Sequence, residues 1–297
     1  MTFKHEPILK DKELNRKLFD DGFVTLPFLN PNEVKLLKEL FIQHHTESEV
    51  IGNGLYVTAA RKNTETVHSV SDGIKEIFAR SISQHIENGQ TLGGTFITKP
   101  ANESEPLQPH QDWSIVDESR FRSFTIWVPL NDVEDENGSM YVLPKSHEFI
   151  RGYRHVTIPS VCGLIYDHTW KHLKPMHLKS GEALIFDHAL IHASKPNCSD
   201  KIWIAATHSL LSVDAAMRFY WNNNGTVEEF EGEKYFYNTE EAKIGPGHLT
   251  KIKALDFEMI QLDRKEFNNL AGVEKEPIRP EPASIQKNGR WLKRLFG

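Results

Sequence analysis

Cysteine is nearly absent from this chain: 297 residues carry two, Cys162 and Cys198. Two thiols cannot make a disulfide framework, so the sequence suits a reducing compartment and a cytoplasmic location is expected. Positive charge is also short. Thirty-five Lys and Arg stand against 41 Asp and Glu, a formal net charge of −6. That balance argues against a general nucleic-acid binder, whose footprint would be basic. No apolar run approaches the ~20 residues of a membrane span, so no transmembrane segment is expected. The N-terminal MTFKHEPILKDKELNRK lacks the apolar core of a signal peptide. What remains is an ordinary soluble composition, 39% hydrophobic and 26% charged, in a length that allows one well-buried core.

Short β-rich runs bounded by turn residues fill the middle of the chain. TLGGTFITKP, SFTIWVPL, GSMYVLP, GEALIFDH and KIWIAATHSLL each read as a strand delimited by Gly, Pro, Asn or Asp. Their spacing predicts a mainly β, single-domain fold of the double-stranded β-helix (jelly roll) type. Its barrel core is expected over about residues 91–212, the major part of it over 123–211. Helical periodicity comes earlier. Asn30 is placed to cap a helix with Pro31 in its first turn, and Leu36, Leu37, Leu40 and Phe41 supply an apolar stripe. IKEIFARSISQHIENG, stopped by Gly89, gives another, so helices over 32–46 and 74–88 are expected to flank the sheets. Residues 150–180 contain Gly152, Pro159, Gly163 and Pro175 and interrupt the strands. An insertion of that length is expected to cover a pocket as a lid. The domain is set at 1–275, leaving a tail over 276–297 that is first Pro-rich, then basic and aromatic. A frayed terminus is the plainer account of it. Weak membrane-surface or partner contact through Trp291, Leu292, Leu295 and Phe296 is the functional one.

The residues that carry chemistry begin at His110-Gln111-Asp112. In extended backbone, residues i and i+2 share a face, so His110 and Asp112 can converge on one ion while Gln111 turns away. A third ligand must come from a strand distant in sequence. His192, beyond the apolar run Ala183-Leu184-Ile185-Phe186, is the candidate. Two imidazoles and one carboxylate on one face of an octahedral ion leave cis positions for O2 and a bidentate co-substrate, the donor set of non-haem Fe(II) oxygenases. His-x-Asp alone recurs by chance. Its neighbours add to it: Trp127-Val128-Pro129-Leu130, Asn137-Gly138, Pro144-Lys145-Ser146-His147, His192-Ala193-Ser194 and Asn197-Cys198-Ser199 follow in order.

This succession resembles the phytanoyl-CoA dioxygenase family of Fe(II)/2-oxoglutarate oxygenases, over roughly residues 18–212. The resemblance implies the jelly roll, and a metal held by His110, Asp112 and His192. It selects His192 over His188, because His192-Ala193-Ser194 fits the distal His-x-Ser. A carboxylate at Asp112, where halogenating members of such families carry a small residue, favours oxygenation. The resemblance also places Ser194 near the distal carboxylate of 2-oxoglutarate, Trp127 on the pocket wall and Thr95 as a weaker pocket position. For Trp127, plain core packing is an equally good account. One position departs from the pattern. Family members supply an Arg about eleven residues past the distal His, and Trp203 stands there. Lys201 on the same strand, or Arg61 from outside the matched core, could supply the charge. A differently bound co-acid, or a co-substrate other than 2-oxoglutarate, stays open. Trp113, beside Asp112, is expected to face the opening.

Arg218, among Phe219, Tyr220 and Trp221, could recognise a planar or acidic substrate, although a surface Arg over exposed rings is the commoner arrangement. His147 reads as turn architecture, and His168, His172 and His177 as surface residues. The function expected is Fe(II)-, O2- and 2-oxoglutarate-dependent hydroxylation of a small-molecule or lipid-like substrate. The alternatives are an iron oxygenase of the same fold that does not use 2-oxoglutarate, and a non-catalytic ligand-binding barrel.

Overall fold

Alternation of side chains along three central strands sets the architecture. The computed structural model describes residues 6–50, 54–102, 105–234 and 244–273, so the tail over 276–297 lies outside the described residues. In chain order the elements are α1 (Lys12–Asp21), β1 (Phe23–Pro27), α2 (Pro31–His44), α3 (Glu47–Val50), β2 (Tyr56–Val57), α4 (Thr64–His85), β3 (Gly89–Lys99), β4 (Leu107–His110), β5 (Ser123–Pro129) and β6 (Met140–Val142). They continue with α5 (Tyr166–Trp170), β7 (Lys174–Met176), β8 (Glu182–Asp187), β9 (His192–Ser194), β10 (Trp203–Ser212), β11 (Arg218–Asn223), β12 (Thr226–Glu231), β13 (Lys251–Ala254) and α6 (Arg264–Ala271).

A six-stranded sheet runs in the order β1-β8-β5-β10-β3-β2, and a four-stranded sheet in the order β4-β9-β6-β7. All their pairings are antiparallel. This is the expected jelly roll with flanking helices in a single domain, in the form of a sandwich of two sheets; hydrogen bonding does not close them into a continuous barrel. Both faces of the larger sheet are covered, which explains its near-continuous apolar strands. Ile126 and Val128 of β5, Ala183 and Ile185 of β8, and Ile204 and Ala206 of β10 pack into the outer core beneath the helices. Their alternates, Trp127, Leu184, Phe186, Trp203 and Ala205, form a second cluster on the inward side. Side-chain period two therefore sends each strand's odd and even residues to different cores. The inward set walls the site.

The helices hold the outer face. Asn30 and Glu33 form a reciprocal capping box on α2, and Glu33 is ion-paired to Arg80 of α4. Helix α4 buries Val67, Val70, Ile74 and Phe78 against the sheet, each such side chain stabilising by roughly 1.5–3 kcal/mol. It starts at Thr64, capped by Asn63, ahead of the expected residue 74, because Val67 and Val70 are the only apolar positions among the polar residues and Gly73 that open it. Three further differences concern boundaries. Strands β1 and β2 join the large sheet from outside the span 91–212. Residues 174–176, expected within the insertion, are a strand paired with β6. A third sheet, β11-β12-β13, follows the jelly roll and had no counterpart in the sequence reading. No helix among the described residues is long and apolar enough to cross a membrane.

Candidate metal centre and its cavity

His110 and His192 are directly opposed across the β4–β9 pairing, with ring centroids 4.2 Å apart. Asp112 follows β4 immediately, and its Oδ1 lies 3.8 Å from His110 Nε2 and 3.6 Å from His192 Nε2. The three ligand atoms all fall within 4.8 Å of one another. Their outer atoms are committed elsewhere. His110 Nδ1 is 2.8 Å from the Gln108 carbonyl and His192 Nδ1 is 3.0 Å from the Leu190 carbonyl. Both rings are thus fixed as Nδ1–H donors with the Nε2 lone pair inward. Thr125 Oγ1 donates to Asp112 Oδ2 at 2.9 Å, leaving Oδ1 for an ion. Gln111 turns away as its position demands. Its amide nitrogen donates to the Ala189 and Ile150 carbonyls and ties the ligand loop to the turn before β9.

Burial, and then the neighbouring His192, pushes His110 down to about 4. Burial pushes Asp112 upward, but His192, His188, His110 and the Thr125 hydroxyl outweigh it and hold the carboxyl below its ordinary value. An uncharged His110 and an ionised Asp112 are the forms in which those two side chains bind a divalent ion.

The triad lies on the wall of a cavity of about 330 Å³ between the two sheets. Thr95, Trp127, Ser194 and Trp113 line it. Trp127 is also core, stacked on Trp203 at 5.5 Å, so both accounts of it hold. Thr95 Oγ1 accepts from the Ala59 amide. Lys201, Arg61 and Arg218 do not line the cavity. Lys201 is exposed, because its strand begins only at Trp203. Arg61 is bonded to Glu49 and the His44 carbonyl on the helical side. Arg218 lies in the third sheet, ion-paired to Glu229 at 2.9 Å. The sequence reading put these three cations at the site, and the tertiary arrangement holds them elsewhere. His147 is buried and meets the Phe19 carbonyl, as a turn-building residue should. His168, expected on the surface, is buried against Asn268 of α6.

Lys99, Thr125 and His188 are among the lining residues that local sequence did not place in the cavity. Lys99 is fully buried on its wall, with Nζ 2.8 Å from Ser194 Oγ and bonded to the Lys195 carbonyl. Its signal was available, since it lies four residues beyond Thr95 on the same strand face. Thr125 is the second, and its role depends on a contact invisible in sequence. The third is His188, on the wall with Nδ1 3.0 Å from Ser123 Oγ. A second cavity, of about 470 Å³, shares His110 and Trp113 with the first and is walled largely by residues 150–161.

Residues 21–205 match the family described as phytanoyl-CoA dioxygenase (PhyH). No curated protein matches the sequence. Among solved structures, the non-heme alpha ketoglutarate dependent carbocyclase SnoK from nogalamycin biosynthesis is similar at 20% identity and TM-score 0.50, covering 70% of this chain and 86% of that one. At that identity the likeness speaks to the fold. EvdO2 from Micromonospora carbonacea var. aurantiaca, complexed with 2-oxoglutarate, is 18% identical, with TM-score 0.47 and coverage of 72% and 95%. HygX from Streptomyces hygroscopicus, with nickel and 2-oxoglutarate bound, is 14% identical, with TM-score 0.45 and coverage of 67% and 86%. With the family matched over residues 21–205, and with three residues placed where they could hold a metal ion, this protein belongs to the phytanoyl-CoA dioxygenase family of Fe(II)- and 2-oxoglutarate-dependent oxygenases.

Proposed function

We propose that this protein hydroxylates an unactivated C–H bond of a small, apolar or lipid-like molecule. The observation that carries the reading is the convergence of His110, Asp112 and His192 on a cavity wall with every outer ligand atom already bonded. Iron(II), when bound there, supplies activation of O2 beside a chelating co-substrate. The chain's own residues hold the donors and exclude water. The Gln108 and Leu190 carbonyls keep both imidazole Nε2 atoms inward, and Thr125 keeps one carboxylate oxygen turned to the metal. Trp127, Trp203 and Phe186 give the cavity dry walls, which protect a reactive oxidant from side reactions.

The substrate enters, in this reading, through the second cavity, because that space meets the first at His110 and Trp113. Its walls include Tyr153, Val156, Ile158, Pro159, Phe257 and Ile260. Arg154, the one Lys or Arg among its lining residues, is committed to Glu118 and to the Asp112 carbonyl. Burial pushes His155 down to about 4, so that ring is neutral at neutral pH. Walls of this kind favour an uncharged, largely apolar body. The insertion over about 150–180, whose residues 150–161 wall this cavity, acts as the lid. Free thiols at Cys162 and Cys198 suit a reducing, cytoplasmic setting.

A second reading, an iron oxygenase of this fold that does not use 2-oxoglutarate, is motivated by Trp203 in place of the family arginine. One assay separates the two. Protein is loaded anaerobically with Fe(II), then given O2 and labelled 2-oxoglutarate. Succinate and CO2 form on the first reading, even without substrate, through uncoupled turnover. Intact 2-oxoglutarate after prolonged incubation removes the first reading in favour of the second.

A further inference from the structure

We propose that Lys99, Ser194 and the indole N–H of Trp203 form a carboxylate seat, in which an ammonium from β3 does the work of the arginine missing from β10. The inference rests on the proposed use of 2-oxoglutarate only for the identity of the acid. The seat itself follows from the chain's own donors.

The buried charges of this protein make the case. Glu33, Arg154, Asp187 and Glu229 are all buried, and each has an ion-pair partner: Arg80, Glu118, Arg151 and Arg218 respectively. Lys99 is buried more completely than any of them. Among the described residues no carboxylate lies within ion-pair range of it; its partners are a hydroxyl and a carbonyl. An ammonium withdrawn from water without a counter-charge is strongly disfavoured. Burial alone pushes it down to about 7. A cation held this way, on the wall of a cavity that also carries a metal triad, is completed by an anion that enters the cavity.

Position supports the same conclusion. Lys99 and Trp203 are directly opposed in the β3–β10 register, so their side chains leave the sheet on the same face. Trp203 Nε1 is buried and has no hydrogen-bond partner among the described residues. A donor without an acceptor therefore sits across from a cation without an anion. Ser194 lies two residues beyond His192 in β9, so it shares the inward face with that ligand, roughly 7 Å along the strand. A short diacid that chelates the metal beside His192 would extend its far end towards Ser194 and Lys99. Gly138 keeps room for the lysine stem: its φ is +87°, and a Cβ there would come within 3.2 Å of Lys99 Cδ and of the Lys195 carbonyl. Lys201 and Arg61, exposed or bonded elsewhere, offer no such placement.

The test uses zinc-loaded full-length protein, which binds without turning over. It is titrated by calorimetry and tryptophan fluorescence with 2-oxoglutarate, and with glutarate, which lacks the chelating 2-oxo group. The expected result is binding of 2-oxoglutarate that Lys99→Met weakens by about 100-fold or more. Zinc affinity stays unchanged. Lys99→Arg restores most of the loss, and Trp203→Phe gives a smaller one. Glutarate binding, weaker throughout, should show the same dependence on Lys99. Undiminished 2-oxoglutarate binding in folded Lys99→Met overturns the seat and leaves the family reaction standing. Wild-type protein that takes up neither acid overturns both the seat and the 2-oxoglutarate reading. Glutarate binding that depends on Lys99, in a protein that never yields succinate, keeps the seat and removes the 2-oxoglutarate reading.

Discussion

The cavity has two polar ends built on opposite principles. At the metal end, three ligands are each locked by a partner of their own: a carbonyl for each histidine and the Thr125 hydroxyl for Asp112. At the other end, among the described residues, Lys99 has a hydroxyl and a carbonyl but no carboxylate beside it, and Trp203 Nε1 has no hydrogen-bond partner. A metal ion demands three atoms within a few ångströms at fixed angles, so its ligands must come from set positions on paired strands. A carboxylate demands only a cation and a few donors around one point. Adjacent strands of a sheet lie about 4.8 Å apart, so either of two neighbours can deliver that charge. The metal end is therefore written in residue spacing. A carboxylate end is not, because the same point can be reached from either of two neighbouring strands.

The sharpest way to break the comparison is at the metal. His192→Ala leaves two protein ligands, and metal affinity should fall by well over 100-fold, beyond the range seen for outer partners. Full metal stoichiometry in the purified variant, by elemental analysis, would remove His192 from the site. Thr125→Val probes the outer bond and should cost about 10–100-fold in metal affinity with the fold intact. An unchanged affinity, measured by competition with a chelator, would make that hydroxyl a packing feature.

The carboxylate end should respond to pH where an arginine would not. Burial lowers Lys99 from 10.5 to about 7, and the ammonium is the form that holds the acid. As pH rises above about 7 the charged fraction of the acid-free protein falls, so affinity for 2-oxoglutarate should drop by up to about tenfold per pH unit. His110, Asp112, His192, His188 and Lys234 share the cavity, so the reading is the difference between wild type and Lys99→Arg, in which this component should vanish. Parallel profiles for the two proteins would count against Lys99 as the titrating cation. The same shift has a stability consequence of definite sign. Between about 7 and 10.5 the unfolded chain holds the Lys99 proton that the folded chain has released, so this group's contribution to stability rises with pH across that window.

Arg218→Ala should do least. It removes an ion pair to Glu229 outside both cavities. A loss of about 1–3 kcal/mol in urea unfolding is expected, because Glu229 is buried and keeps the Lys253 ammonium at 3.5 Å, with no change in the 2-oxoglutarate KM. A large KM effect would bring the third sheet into the site.

Much of this protein was legible in its residues. His110 and Asp112 stood out because a strand's period of two puts them on one face, and the family resemblance selected His192 over His188 as their partner. The jelly roll did too, because a sheet covered on both faces must be made of short apolar runs divided by turns. Helix α4 extends ten residues before its legible stripe, since Val67 and Val70 are isolated among polar residues and Gly73 there. Lys201, Arg61 and Arg218 were read as site cations, and Lys99 was passed over. All four are basic residues in or near strands, and nothing local separates them. What separates them is the partner each finds: solvent for Lys201, Glu49 for Arg61, Glu229 for Arg218 and a serine hydroxyl for Lys99. The chain by itself determined which atoms can bind a metal, because that depends on residue type and strand period. Only the tertiary structure decided which cation is left buried without a counter-ion, because that depends on which chains come to lie beside it.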